Sequence, residues 1–197
     1  MFGMINRRTI LFCIALLLSA CAPEPAAFRN TDLSGAGFGR QLRLADHHGQ
    51  LRSLTDFKGK VIVVLFGYTS CPDICPTMLI RLASVTKSLG ADAQRVQVLF
   101  VTVDPERDSA ERLKGFVPWF DPTFLGLRGE ARETREVTEE FRVFAVRKPV
   151  DGELGYVIDH SAGAYVFDPA GRLRLYVNES ASVEDIVADI RVLLNSR

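Results

Sequence analysis

Two cysteines in the segment FGYTSCPDICPTML, Cys71 and Cys75, carry the residue types and spacing that most clearly indicate chemistry. Three residues separate them, and a proline follows each one. A residue before proline is disfavoured in the α-helical region, so the pattern predicts both cysteines outside a helix. Pro72 and Asp73 suit the centre of a type I turn, and Pro76 suits the first position of a helix. We therefore expect the pair on a loop at a helix N-terminus, where the helix dipole favours a thiolate.

Such a pair of cysteines can do three kinds of chemistry. It can form a structural disulfide, although a bridge that closes so short a loop restricts the unfolded chain little. It can act as a redox dithiol. It can also hold a soft metal ion, because paired thiolates select Cu(I) or Zn(II), and two sulfurs leave room for a further ligand. The spacing alone leaves all three open.

Three histidines are available as a further ligand. His47 and His48 fall in a predicted turn, and we expect both to be solvated. His160 follows a predicted strand in YVIDHSAGAYVF, where a histidine is by default a hydrogen-bonded structural residue. It becomes a candidate ligand if the strand that ends at Tyr68 is central, because the loop that enters the next hairpin can then reach the cysteines.

The elements that must position these residues alternate between strands and helices. Apolar runs predict buried strands in KVIVVLFGY and VQVLFVTV, and shorter strands in FLGLRG, YVIDH and AYVFDPAGRLRLYV. Helical spacing predicts three helices, in TMLIRLASVTKSL, EARETREVTEEF and SVEDIVADIRVLL. The first is expected to stop at Gly90, and Ser182 is expected to cap the last. Asp108 is predicted to begin the helix DSAERLKGF, with Glu111 as capping-box partner. With a hairpin in RLADHHGQLRSL, the pattern predicts an α/β sandwich.

Composition and the first forty residues predict where this domain works. The chain has 24 basic and 24 acidic residues and no net charge, which excludes an electrostatic footprint for nucleic acid. Residues 1–20 have the pattern of a signal peptide, in which two arginines precede a short apolar run. The sequence LSAC at residues 18–21 predicts cleavage before Cys21, which would then carry a lipid. Residues 21–40 are rich in Ala, Pro and Gly and predict a flexible tether. Residues 41–197 are then the folded domain, in an oxidising compartment.

The segments GYTSCPDICP, FVTVDPERDS, FDPTFLGL and VIDHSAGAYVFDPAGRL, in this order, resemble the signature segments of the Sco/SenC copper chaperones for cytochrome c oxidase assembly. The resemblance extends from about Gln41 to the C-terminus. It implies a thioredoxin-like fold, with a central mixed sheet flanked by helices and an N-terminal hairpin. It also implies copper, as Cu(I) or Cu(II), bound by Cys71, Cys75 and His160, with the two cysteines also forming a redox-active dithiol.

The resemblance also implies a role and partners. The chain would be a metallochaperone rather than an enzyme, and would help to metallate or reduce the CuA site of oxidase subunit II. A periplasmic thiol reductase and another copper donor would be further partners. Family members are held at a membrane by a helix or a lipid, which agrees with Cys21 and predicts a lipoprotein on the periplasmic side of a bacterial envelope. The alternative is a thiol–disulfide oxidoreductase or redox sensor that uses Cys71 and Cys75 and does not need His160.

Four acidic or basic residues are expected near this site. Asp159 could orient the ring of His160 by accepting a hydrogen bond, or it could point to the opposite face of the strand. Asp104, Arg107 and Asp108, in VDPERDS, are expected to build a loop beside the site, with Asp108 favoured as a helix cap.

Overall fold

The computed structural model describes residues 27–196, which form an eight-stranded mixed sheet, a separate two-stranded sheet and four α-helices. The large sheet has the spatial order β1-β10-β9-β4-β5-β6-β2-β3, and β7 pairs with β8 alone. The strands are β1 (Thr31–Asp32), β2 (Arg43–Asp46), β3 (Leu51–Ser53), β4 (Val61–Gly67), β5 (Val96–Thr102), β6 (Leu125–Arg128), β7 (Ala145–Pro149), β8 (Tyr156–His160), β9 (Gly163–Phe167) and β10 (Leu173–Asn178).

The helices begin and end near the predicted signals. Ser182 accepts a hydrogen bond from the backbone N–H of Asp185, which confirms it as the cap of the last helix. The first helix ends at Leu89, and Gly90, with a positive φ of 59°, follows it as the predicted stop. The helices are α1 (Ile74–Leu89), α2 (Ala110–Phe116), α3 (Ala131–Glu140) and α4 (Val183–Asn195).

The centre of the sheet consists of two strands that are buried along their whole length. Strand β4 runs parallel to β5 and antiparallel to β9, and β5 runs parallel to β6. Every residue of β4 and β5 is buried, as expected for strands covered on both faces. Strands β2 and β3 form the predicted N-terminal hairpin. The mixed sheet flanked by helices confirms the predicted fold class.

The N-terminal part of the described chain packs on the sheet. Residues 27–40 lie in the segment that was expected to be a flexible tether, but β1 pairs with β10, and Asp189 accepts hydrogen bonds from the backbone N–H groups of Arg29 and Asn30. The expectation is wrong for these residues, because a two-residue strand and isolated contacts leave no periodic signal. The predicted signal peptide and Cys21 lie outside the described residues. No helix within the described range is long and apolar enough to span a bilayer.

The two-stranded sheet contains one strand that the sequence did not predict. All five residues of β7 are exposed, so this strand lacks the apolar alternation on which strand prediction depends. It pairs with β8 in antiparallel register, and Ala145 lies opposite His160. The predicted strand YVIDH is thus confirmed, and its last residue stands at the end of a sheet that is separate from the central one.

Candidate metal centre

The two cysteines lie at the junction between β4 and α1. The backbone N–H of Cys71 donates to the carbonyl oxygen of Tyr68 at 3.2 Å, so the hydrogen-bonded turn runs from Tyr68 to Cys71. Pro72 and Asp73, expected at the centre of a turn, form a bend instead. Cys75 is the second residue of α1, and the prediction that both cysteines lie outside a helix is wrong for Cys75. Pro76 is tolerated at the third position rather than the first, because backbone N–H groups of a first helical turn have no partner within the helix.

His160 reaches the cysteines because of strand order. Strand β9 lies antiparallel beside β4, with Ala164 opposite Leu65, so the start of β9 meets the end of β4. The Nε2 atom of His160 lies 3.3 Å from the Sγ atom of Cys75. The two sulfurs and a ring nitrogen of His160 all lie within 4.8 Å of one another. The structure therefore brings together Cys71, Cys75 and His160, the three residues that the sequence analysis selected.

A glycine shapes the link between His160 and the sheet. Gly163 has a φ of 141°, a backbone conformation that favours glycine. A Cβ atom there would lie 2.5 Å from the hydroxyl oxygen of Tyr176 and 2.7 Å from the carbonyl oxygen of Val177. Only glycine fits at this position, and its backbone conformation lets the chain turn tightly from His160 into β9.

The hydrogen bonding of His160 leaves one ring nitrogen free to act as a ligand. Its Nδ1 atom lies 3.0 Å from the carbonyl oxygen of Ser161, which can only accept, so Nδ1 carries the proton. The Nε2 atom then presents its lone pair toward Cys75. Asp159 does not orient this ring: it is exposed and pairs with Lys148 at 2.6 Å, and the Lys148 ammonium lowers its pKa.

The two thiols have different environments. The hydrogen bond from the Cys75 side chain lowers the pKa of Cys71 to about 4 against the opposing effect of burial. The backbone N–H of Cys75 also points at the Cys71 sulfur, at 3.4 Å. The pKa of Cys75 is raised because its thiol donates a hydrogen bond to Cys71 and because the side chain is buried. Both cysteines are free, so the site combines an accessible thiolate with a buried thiol.

The site opens to solvent through a pocket of about 380 Å³. Cys71 and His160 line this pocket, whereas the side chain of Cys75 is fully buried behind it. Ile74 and Val157 contribute apolar surface to the opening. Any ion or partner that enters must therefore meet Cys71 and His160 before Cys75.

The VDPERDS loop lies beside the site, as expected. Asp108 is fully buried and accepts hydrogen bonds from the backbone and hydroxyl of Thr69, two residues before Cys71. Its favoured role as a helix cap is wrong, since the hydroxyl of Ser109 caps α2. Tyr68 is a further residue of the site that was not predicted, and its ring lies edge-on to that of His160 with centroids 5.8 Å apart. A single aromatic residue after a buried strand gives no signal for that contact.

The other two histidines do not join the site. His48 is exposed, as expected. His47 is buried, and its Nδ1 atom accepts a hydrogen bond of 3.0 Å from the backbone N–H of Gly126, so the expectation of a solvated side chain is wrong for His47. Burial lowers its pKa. Within residues 27–196, the two cysteines and His160 form the one group of three or more His, Cys, Asp or Glu side chains with ligand spacing.

This chain matches one protein family over most of its length. The sequence profile of the family described as SCO1/SenC matches residues 30–195. The mouse mitochondrial protein SCO2 homolog is 40% identical over 150 residues, which are 75% of this chain and 59% of the mouse protein. The SCO2-like protein of Rickettsia conorii is 31% identical over 179 residues, which cover 89% of this chain and 87% of that one. The match thus spans about three fifths of the mouse relative and most of the rickettsial one.

Solved structures have the same fold. The copper-bound ScoI of Bradyrhizobium japonicum superposes with a TM-score of 0.72 at 36% identity, over 79% of this chain and 99% of that chain. The apo Sco1 protein of Thermus thermophilus gives a TM-score of 0.75 at 36% identity, over 85% and 97% of the two chains. These matches confirm the thioredoxin-like fold that the sequence resemblance implied.

Proposed function

This chain belongs to the SCO1/SenC family, and from that membership we propose that it is a copper-binding metallochaperone whose ligands are Cys71, Cys75 and His160. The observation that carries the proposal is the cluster of their two sulfurs and one ring nitrogen within 4.8 Å. The solved ScoI of Bradyrhizobium japonicum has copper bound, and this chain is 36% identical to it.

The chemistry of the three side chains fits copper. Thiolates select Cu(I) among other soft ions and imidazole suits copper, and Cu(II) would take the same three side chains with an added ligand. The lowered pKa of Cys71 favours its thiolate form, whereas the raised pKa of Cys75 means that this thiol must lose its proton to become a ligand. In the neutral ring of His160, the proton on Nδ1 that donates to Ser161 leaves the lone pair on Nε2 for the metal. Oxidation of the two sulfurs to a disulfide would remove both thiolate ligands.

We also propose that the copper is cargo for the CuA site of cytochrome c oxidase subunit II. Family membership supports a role in oxidase assembly, and the pocket exposes Cys71 and His160 to an incoming protein. Periplasmic thiol reductases and another copper donor are the partners that this role requires. The LSAC sequence supports cleavage before Cys21 and a lipid anchor on the periplasmic side of the envelope.

A second candidate function has its own supporting observation. An accessible Cys71 of low pKa beside a buried Cys75 is the arrangement of an attacking and a resolving thiol. The chain would then be a thiol–disulfide oxidoreductase or redox sensor. This function uses the two cysteines and does not need His160, so His160 separates the two candidates.

The test replaces each ligand in turn and measures Cu(I) affinity of the reduced protein by competition with a chromophoric chelator. Wild type should bind one Cu(I) per chain. The Cu(I) affinity should fall in each of Cys71→Ser, Cys75→Ser and His160→Ala. The fall should exceed the loss of about 10- to 100-fold that is typical for residues that only support a ligand. His48→Ala, an exposed histidine away from the site, is the matched control and should bind as wild type does.

A second readout tests the client. A strain that lacks the gene should lose oxidase activity at low copper, and wild type should restore it whereas His160→Ala should not. Full affinity in His160→Ala would overturn the ligand assignment. Disulfide turnover that survives His160→Ala, with oxidase activity unaffected by the deletion, would establish the oxidoreductase instead.

A further inference from the structure

The loop between β5 and α2, residues 103–109, contacts both halves of the candidate metal centre. The cysteines lie at the junction that follows β4 of the central sheet, Cys71 in the loop and Cys75 in the first turn of α1. His160 ends β8 in the separate two-stranded sheet. No backbone ladder joins β8 to β4 among the described strands. The pairing of β9 with β4 brings the end of β8 close to the sulfurs. Contacts outside the strand ladders must then fix where β8 and His160 lie relative to the cysteine turn.

On the cysteine side, the contact is made by the carboxylate of Asp108. It accepts hydrogen bonds from the backbone N–H of Thr69 at 2.9 Å, from the Thr69 hydroxyl at 2.5 Å and from the Thr102 hydroxyl at 2.6 Å. Thr69 belongs to the turn that the N–H of Cys71 closes. A fully buried carboxylate with three donors fixes that turn, because losing any donor would leave a buried charge less well satisfied.

On the histidine side, the contact is made by the guanidinium of Arg107. Its Nη1 donates to the carbonyl oxygens of Leu154 at 3.1 Å and Tyr156 at 2.9 Å, where β8 begins. The guanidinium also stacks 3.6 Å from the centroid of the Tyr156 ring. Asp104 accepts from Arg107 and, at 2.8 Å, from the Tyr156 hydroxyl, so the cation is paired and held in place.

Tyr68 links the two halves. Its hydroxyl accepts a hydrogen bond of 3.2 Å from the backbone N–H of Ile158, two residues before His160. Its ring lies edge-on to the His160 ring, and the Arg107 guanidinium lies 5.6 Å from the ring centroid. The strand that carries His160 is thus anchored at its start by Arg107 and at its middle by Tyr68.

We propose that Arg107 and Asp108 are the positioning residues of the metal centre, each holding a different ligand-bearing segment: Arg107 the strand that carries His160, and Asp108 the turn that carries Cys71. Neither side chain is itself a ligand. This inference rests on the proposed function, in which Cys71, Cys75 and His160 bind copper. Because the two anchors are consecutive residues of one loop, they set the distance between the histidine and the sulfurs before any ion enters.

The test is a double-mutant cycle on Cu(I) affinity. Arg107→Met and Asp108→Asn are each made in wild type and in His160→Ala. Arg107→Met should lose about 10- to 100-fold in wild type and nothing further in His160→Ala, because its effect passes through the histidine. Asp108→Asn should lose affinity in both backgrounds, because its effect passes through Cys71.

The matched control is Asp168→Asn. Asp168 is also a fully buried carboxylate, but it accepts from Arg172 and Arg174 at the β9–β10 turn, away from the site. This variant should lose stability in denaturant unfolding and keep its Cu(I) affinity. An equal affinity loss in the control, or a loss for Arg107→Met that is the same in both backgrounds, would refute the positioning role.

A measurement without metal separates this inference from the proposed function. In the apo protein, nuclear Overhauser contacts between the rings of Tyr68 and His160 should be present in wild type and lost in Arg107→Met. If wild type binds no copper, the proposed function fails, and these contacts alone decide the positioning role. If Arg107→Met does not fold, Arg107→Lys, which keeps the charge but not the planar fork, should weaken the same contacts. Unchanged contacts in either variant would overturn the inference.

Discussion

One methyl group added at Gly67, the last residue of β4, would test the packing behind the metal centre. A Cβ atom at this position would lie 2.7 Å from Cε2 of Phe100 and 2.9 Å from Sγ of Cys75. To reach an ordinary contact of about 3.5 Å, the ring carbon must recede by about 0.8 Å and the sulfur by about 0.6 Å. Both side chains are buried in a close-packed core and have little free space in which to move.

Gly67→Ala should therefore destabilise the fold and disturb the site together. Overpacking of this kind costs about 1–3 kcal/mol, which for a domain of this size lowers the melting temperature by about 2–12 °C. Thermal unfolding of the reduced apo protein, followed by circular dichroism, measures that loss. Cu(I) affinity should fall as well, because the displaced atom is a proposed ligand.

The matched control for Gly67→Ala is Gly115→Ala. Gly115 lies in α2, and a Cβ atom there would meet nothing within 4 Å, so alanine should stabilise the helix by about 0.5–1 kcal/mol. A Gly67→Ala protein with wild-type melting temperature would show that Phe100 and Cys75 relax without cost. A destabilised protein with wild-type affinity would show that the Cys75 sulfur either stays in place or is not a ligand.

Two further predictions concern acid stability and the anchor. Burial alone would raise the pKa of Asp168, but its hydrogen bonds with Arg172 and Arg174 outweigh burial and lower it. A lowered pKa stabilises the fold above about pH 4, the ordinary aspartate value, and that stability is lost as the pH falls through the folded-state value. Asp168→Asn should thus be less stable at pH 7 yet show a flatter decline in denaturation midpoint below about pH 4; an unchanged decline contradicts the reasoning. Cys21→Ser should abolish incorporation of labelled fatty acid into the protein in cells, and continued labelling would place the lipid elsewhere.

The central elements of the fold could be predicted from local pattern because their burial is complete. β4 and β5 are continuous apolar runs, and α4 shows a helical period behind a serine cap. β1 and β7 escaped prediction for the opposite reason, since their residues are exposed and their pairing depends on distant partners. The start of α1 was misplaced because a pre-proline residue is disfavoured, not forbidden, in the helical region, and the buried contacts of Cys75 outweigh that preference.

The ligands and their supports differ in how far residue type reveals their function. Cysteine and histidine are few in this chain, so their chemistry narrows the candidates, and strand order then explains the proximity of His160 to Cys75. Arg107 and Asp108 belong to residue types that are common in turns and caps, and the sequence context favoured a cap for Asp108. Their contacts form because the loop after β5 meets the loop after β4 and the start of β8. No local periodicity of the sequence encodes that meeting. Strand order brings the ligands together, and residues whose type alone carries no metal-binding signal then fix the distance between them. Only variants that separate the two supports can measure how much of the affinity they provide.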